Sequence, residues 1–359
     1  MLIIDGHEDI AWNAVCFGRD YTQSAYVTRR REAGTRIPEQ TGSCMLGRPE
    51  WLMGHVGVIF ATIFVSPARS ALGAWDSEVY TTPAEAYDRA MRQMEYYHHL
   101  VDDCETFMLV ETRADLEQVL ESWAPGKSLG DRRIGLVLLM EGADPIREPE
   151  QVAEWYEQGL RIVGPAWAAT QYAGGNREPG PLTDRGEHLL AQMADLNMVL
   201  DLSHMAEMAY YQALDRYPGP LIASHANARR FTPTMRGLSD DMILRLADRE
   251  GVIGAVAYNP FLKPGHVKGD PRDRVSIHDL ADAIDHICQL TGTSRHAALG
   301  SDLDGGYGLE NAPAEVDTVS DMQRLEVVLE SRGYSTAQIT EIFSENWLRV
   351  LRSTLPEGT

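Results

Sequence analysis

Short, largely apolar runs recur along the chain and are separated by amphipathic stretches. The runs cover residues 2–4, 56–65, 134–140, 160–166, 198–202, 221–224, 252–258 and 297–300, each bounded by polar or glycine-containing segments. Runs this short, apolar at both parities, predict strands buried on both faces, as in a parallel sheet. The stretches between them carry helix starts. Thr81-Thr82-Pro83 leads into a helix over 84–100 with proline in its first turn. Thr183-Asp184 opens 185–196, and Ser239 with two aspartates opens 242–249. Ser276 with Asp279, and Ser335 with Gln338, have capping-box spacing ahead of 280–290 and 339–351. Strand and helix alternating in this way predict an α/β architecture, a (β/α)8 TIM barrel of about 250 residues plus insertions. The main insertion is a loop over 18–51, after the first strand. A doubly wound sheet is the alternative, but it needs a glycine-rich phosphate turn after the first strand, which this sequence lacks.

A chain of 359 residues, 44% hydrophobic and 24% charged, accommodates one large barrel or two medium domains. No low-complexity or Pro/Ser-rich linker interrupts the pattern, so one domain over 1–359 is the expectation. The net charge of -21, from 53 acidic and 32 basic residues, repels phosphate backbones and anionic membranes. Neither nucleic acid nor a membrane is therefore an expected partner. The four cysteines lie far apart with no Cys-x-x-Cys pair, which predicts free thiols. Met1 leads straight into apolar sequence with no basic n-region or cleavage site, and a cytoplasmic location is expected.

In a barrel the active site is built at the C-terminal ends of the strands. The first strand ends in His7-Glu8-Asp9; the third in Glu141; the fifth in His204; the sixth in His225; the eighth in Asp302. His7 and Asp9, two apart, point to one side and can grip one ion together; alternatively Asp9 caps a helix and His7 is solvated. Three imidazoles and three carboxylates on one rim can hold two divalent ions, with one carboxylate bridging. The three lysines, Lys127, Lys263 and Lys268, are at no strand end. A carbamylated-lysine bridge is excluded, a Schiff-base enzyme is disfavoured, and Glu141 is left as the bridge.

The segments Asp5-Gly6-His7-Glu8-Asp9, Glu141-Gly142, Asp201-Leu202-Ser203-His204, Ser224-His225 and Gly300-Ser301-Asp302-Leu303-Asp304-Gly305 resemble the motifs of the membrane (renal) dipeptidase family, a binuclear zinc branch of the amidohydrolase-like barrels. The resemblance runs in order along essentially the whole chain. It implies one zinc held by His7, Asp9 and Glu141 with help from Asp302, and a second held by Glu141, His204 and His225. Asp302 would also shuttle the proton while a metal-bridging hydroxide cleaves the amide bond of a dipeptide. The resemblance further implies a homodimer and places Arg236 against the substrate's C-terminal carboxylate, a role that suits a guanidinium fork. A surface arginine near a helix start is the alternative. Tyr258 matches a tyrosine near the substrate, or packs.

One position departs from the family. Trp167 falls where a histidine contacts the substrate carbonyl, and an indole can donate one hydrogen bond but cannot act as an acid or base. Two further readings therefore stand beside dipeptide hydrolysis: a two-metal enzyme acting on another amide or ester, such as N-acyl amino acids or lactones, and a non-catalytic metal-bearing barrel. The spare acid Asp302 speaks against the last, because structural sites are closed by four protein ligands. Trp12, Trp51 and Trp75 line a pocket lid or form satellite core under the early loops.

Overall fold

Each apolar run becomes a strand in the computed structural model, which describes residues 1–358. The strands are β1 (Ile3–Glu8), β2 (Val56–Phe64), β3 (Ile134–Glu141), β4 (Leu160–Gly164), β5 (Val199–Asp201), β6 (Leu221–Ala223), β7 (Val252–Ala255) and β8 (Ala297–Leu299). Their order, β2-β1-β8-β7-β6-β5-β4-β3, closes through a β2–β3 ladder running from Val58↔Gly135 to Phe64↔Glu141. All these pairings are parallel, which makes the predicted (β/α)8 barrel. Three short strands were not foreseen: Ser66–Pro67 and Val79–Tyr80 pair with each other, and Phe107–Leu109 pairs with the start of β3, below the point where β4 takes over.

Side-chain parity along the strands sorts residues into two cores. Ile4, Val58, Phe60, Val137, Leu139, Ile162, Val199, Ile222, Val252 and Ala298, drawn from all eight strands, meet in one cluster that fills the barrel. Residues of the other parity, such as Ile59, Leu138, Met140, Val163 and Leu200, pack outward into the larger core beneath the helices. The interior is closed by Trp347, whose indole N–H donates to the Leu299 carbonyl at 2.8 Å and whose ring lies 5.0 Å from that of Phe60. The close fit requires glycine at position 6, where a Cβ would sit 2.7 Å from the Trp347 ring.

The helix starts follow the capping residues. Thr82, Thr183 and Ser239 accept from backbone N–H groups, and Ser276/Asp279 and Ser335/Gln338 form capping boxes. Two expectations need correction. The helix expected over 339–351 is three pieces, Thr336–Thr340, a π turn Glu341–Glu345 and Asn346–Thr354. The widened turn changes the helical phase ahead of Trp347. The insertion expected as a loop over 18–51 is folded into helices Ala25–Glu32, Ile37–Thr41 and Arg48–Met53. A buried ion cluster organises it: Arg19 bonds Glu32 at 2.8 Å and Asp304 at 3.2 Å, and Asp304 also accepts from Tyr21 and the Met45 N–H. The four cysteines are unbridged. Among the described residues no helix is long and apolar enough to cross a membrane.

Removing the cation of this cluster leaves two buried carboxylates uncompensated. Arg19→Ala is expected to destabilise the protein by about 3–5 kcal/mol in urea unfolding.

Candidate active site

The mouth of the barrel depends first on a shift of phase in β1. Ile4 faces the interior, but the β1–β2 register slips between Asp5 and Glu8, where Asp5 pairs with Ile59 and Glu8 with Ala61. The extra residue is a bulge, which re-aims side chains. Glu8 points outward and accepts from the Trp51 indole at 2.9 Å, while His7 and Asp9 enter the mouth. The Asp5 carboxylate fastens the bulge, accepting from the His7 N–H at 3.3 Å and the Ser301 N–H at 2.7 Å. Asp9 precedes helix Ile10–Phe17, yet its side chain makes no cap hydrogen bond, so the helix-cap alternative is not realised. Glu141 needs no such device, being in phase with Val137 and Leu139 at the end of β3.

His204 and Asp302 reach the same space from strained backbone, with φ of 64° and 60°. Left-handed geometry at a non-glycine residue costs of order 1–3 kcal/mol. Backbone bonds hold both residues there: Asp302 N–H donates to the His7 carbonyl at 3.0 Å, and Asn176 N–H to the His204 carbonyl at 2.7 Å. Asp302 also needs Gly305, because a Cβ there would lie 2.0 Å from its Oδ1.

All six expected ligands converge. Glu141 Oε1 lies 2.9 Å from His204 Nε2 and 3.3 Å from His225 Nε2, and Glu141 Oε2 lies 3.7 Å from His7 Nε2. His7 Nε2 is 4.0 Å from Asp9 Oδ2. Two ligand triads, His7/Asp9/Glu141 and Glu141/His204/His225, share Glu141, and a third links Asp302 to His7 and His225. The donor set fits divalent cations on a direct observation: His7 Nε2 and Asp9 Oδ1 are buried without any hydrogen-bond partner. Unpartnered buried polar atoms are costly unless something coordinates them.

Outer residues orient the imidazoles. Ser224 Oγ donates to Asp201 Oδ2 at 2.5 Å, so it accepts from His225 Nδ1–H at 2.8 Å and leaves the Nε2 lone pair facing Glu141. Asn176 Oδ1 stands 3.2 Å from His204 Nδ1 and sets that ring in the same sense. The positioning roles of Asp201, Ser224 and Asn176 escaped the sequence reading. The available signal for two of them was adjacency, serine directly before His225 and aspartate three before His204.

The electrostatics show a cluster short of cations. Burial alone would lower the His7 pKa, but Glu141, Asp9 and Asp302 raise it to about 9. His204 falls to about 4 through burial and the Arg236 charge, and His225 also falls, through burial, His7 and Arg236. Burial drives Asp9 well above the carboxylate range, and burial with Glu141 raises Asp302 to about 7. Glu141 is pulled down against its burial by His204 and His7.

Above the cluster lies a cavity of about 290 Å³, walled by Trp12, Phe64, Trp167 and Tyr258 among others. Trp167, Tyr258 and Trp12 thus line the cavity, and Tyr258 also packs on Phe261 and Tyr307. Trp51 instead packs under the insertion, and Trp75 meets Trp12 edge to face at 6.0 Å. Arg236 does not line the cavity; it is buried beneath it, with Nη2 donating to the His225 carbonyl at 2.5 Å and Nε unpartnered. Arg177 and Lys268 line the cavity, and nothing in their sequence context announced it. Lys268 follows β7 by a long loop, so its absence from the strand ends did not keep it from the pocket.

A parallel barrel with two carboxylate-bridged ligand triads at its mouth is the architecture of a barrel metallohydrolase. The family model for membrane dipeptidase (peptidase family M19) matches residues 1–356, and the chain belongs to that family. It is 28% identical to an uncharacterised dipeptidase of Schizosaccharomyces pombe, over 98% of this chain and 80% of that one. It is 26% identical to a dipeptidase of Aspergillus oryzae, over 97% of this chain and 77% of that one. In structure it is similar to a metallopeptidase of Rhodobacter sphaeroides solved with a phosphinate mimic of the dipeptide L-Ala-D-Ala. That match has a TM-score of 0.79 and 21% identity, and covers 99% of both chains.

Ser224→Ala removes the acceptor that sets the His225 tautomer. Metal affinity, read by competition with a chromogenic chelator, is expected to fall about 10–100-fold, with the circular dichroism spectrum unchanged.

Proposed function

We propose that this protein is a two-metal dipeptidase, with zinc as its ion, that hydrolyses the amide bond of dipeptides at the cluster around Glu141. The observation that carries the reading is the sharing of Glu141 between two ligand triads, with orphaned ligand atoms on His7 and Asp9. When bound, divalent ions supply a water acidified toward neutral pH and positive charge for the carbonyl oxygen as it becomes an oxyanion. Glu141 holds the two halves together, Oε1 serving His204 and His225 and Oε2 serving His7.

Asp302 is the proton carrier. It lies in a ligand group with His7 and His225, within reach of both halves of the cluster, and in the metal-free protein burial and Glu141 raise its carboxyl to about 7; a carboxylate so placed can take a proton and return it to the leaving amine. The family resemblance assigns Arg236 the substrate's C-terminal carboxylate; it lies outside the cavity lining, and what supports the role is that it makes no ion pair among the described residues and leaves its Nε unpartnered. The apolar wall of Trp12, Phe64 and Trp167 shields the reacting amide from bulk water.

A second reading keeps the cluster and changes the substrate to an N-acyl amino acid or lactone. The observation behind it is Trp167, which lines the cavity and stands 6.3 Å from the His204 ring in place of a titrating imidazole.

Elemental analysis of purified protein, with a panel of L-L and L-D dipeptides assayed in added zinc, separates these readings. Two metal equivalents with dipeptide turnover is the expected result; metal with turnover of only acylated amino acids or lactones supports the second reading. Glu141→Gln is expected to lose at least one equivalent of metal. Its activity should fall by more than the roughly 100-fold that loss of an outer-shell partner costs. Unchanged metal content in this variant would remove Glu141 from the bridging position.

A further inference from the structure

In a chain with 53 acidic and 32 basic residues, a cation that lines a pocket without an acidic partner stands out. The cavity has two, Arg177 and Lys268, both exposed to solvent. Among the described residues neither forms an ion pair; Arg177 makes no hydrogen bond, and Lys268 only one, to the Gly306 carbonyl at 3.3 Å. The acid beside Arg177 in sequence, Glu178, is already bonded by Arg69 at 2.8 Å.

Arg177 is nonetheless held in place. Its guanidinium lies 4.3 Å from the centroid of the Trp167 ring. Stacking on an aromatic face fixes the plane of the group and leaves its N–H edge free to bind in the fork geometry that matches a carboxylate. The turn that carries it is pinned by Asn176 N–H to the His204 carbonyl at 2.7 Å and Gly175 N–H to the Glu178 carbonyl at 3.1 Å, and by Arg69, which bonds both Glu178 and the Ala169 carbonyl. Burial pulls the Arg177 pKa down, and Glu141 is the one acid that offsets it, so the group faces the ligand cluster and no carboxylate of its own. Lys268 enters from the loop after β7, three strands round the rim from the loop after β4 that carries Trp167 and Arg177.

We propose that Arg177, seated on Trp167, receives a second carboxylate of the substrate, so that the enzyme selects dipeptides bearing an acidic side chain over their neutral amide counterparts. This rests on the dipeptidase reading and names its substrate class. Trp167 then has a purpose in this chain: it is the platform that holds the guanidinium in the wall of the cavity.

The test compares kcat and KM for Glu-Ala with Gln-Ala, and for Ala-Glu with Ala-Gln. At one of the two positions the wild-type kcat/KM should favour glutamate by about tenfold or more, the scale of one charge-assisted pair of hydrogen bonds, with the difference in KM. Arg177→Gln should bring that ratio to near one, and Arg177→Lys should restore part of it. A wild-type ratio near one at both positions overturns the proposal, as does a ratio that survives Arg177→Gln. If no dipeptide is cleaved, the dipeptidase reading fails by itself, and calorimetric binding of glutarate against its monoamide decides the role of Arg177. A glutarate preference that vanishes in Arg177→Gln supports it, and one that persists, or is absent in the wild type, overturns it.

Discussion

Three carboxylates and three imidazoles are buried within a few ångströms of one another at the mouth of this barrel, and the rest of the site follows from that crowding. Like charges at such distances cannot all ionise in a low-dielectric setting. Without metal, the protein's own groups meet this by unequal shifts: neighbouring carboxylates raise the His7 pKa to about 9, burial and Arg236 lower that of His204 to about 4, and burial and Glu141 raise that of Asp302 to about 7. The unpartnered atoms of His7 and Asp9 mark where positive charge is missing. Divalent cations satisfy that need, and a cluster built to receive them is poised for hydrolysis.

Holding such groups together requires rigidity below and around them. The lower barrel is packed solid by residues of one parity and closed by Trp347, against which Gly6 fits without a side chain. From this base the β1 bulge turns His7 and Asp9 inward, and the left-handed residues His204 and Asp302 are fixed by backbone bonds. The folded insertion contributes from the side. Its Arg19 pairs with Asp304, two residues beyond Asp302, so the segment after β1 steadies the loop after β8.

The cavity wall holds Trp167, at the position where the family resemblance expects a histidine. A tryptophan in place of a histidine removes a titrating group above the metals but supplies a flat apolar face, and Arg177 lies on that face. Chemistry and selectivity thus come from different layers. The strand ends carry the candidate ligands, whereas the loops after β4 and β7 bring two cations, Arg177 and Lys268, to the cavity.

The sequence by itself determined the barrel and the six side chains that gather at its mouth. Eight apolar runs marked all eight strands, and capping residues marked the helix starts, because burial on both faces and orphan N–H groups at helix ends leave local traces. The six candidate ligands were legible because a barrel places strand ends at a known rim, so position along the chain implied position in space. Only the tertiary structure decided the β1 bulge, the seat of Trp347 and the burial of Arg236, since each depends on what a distant segment packs against. It likewise decided that the 18–51 segment is helical, because Asp304, far along the chain, completes its ion cluster. Arg177 and Lys268 belong with these. Loop residues reach a pocket through the path of the whole loop, and no spacing rule connects that path to the strand before it.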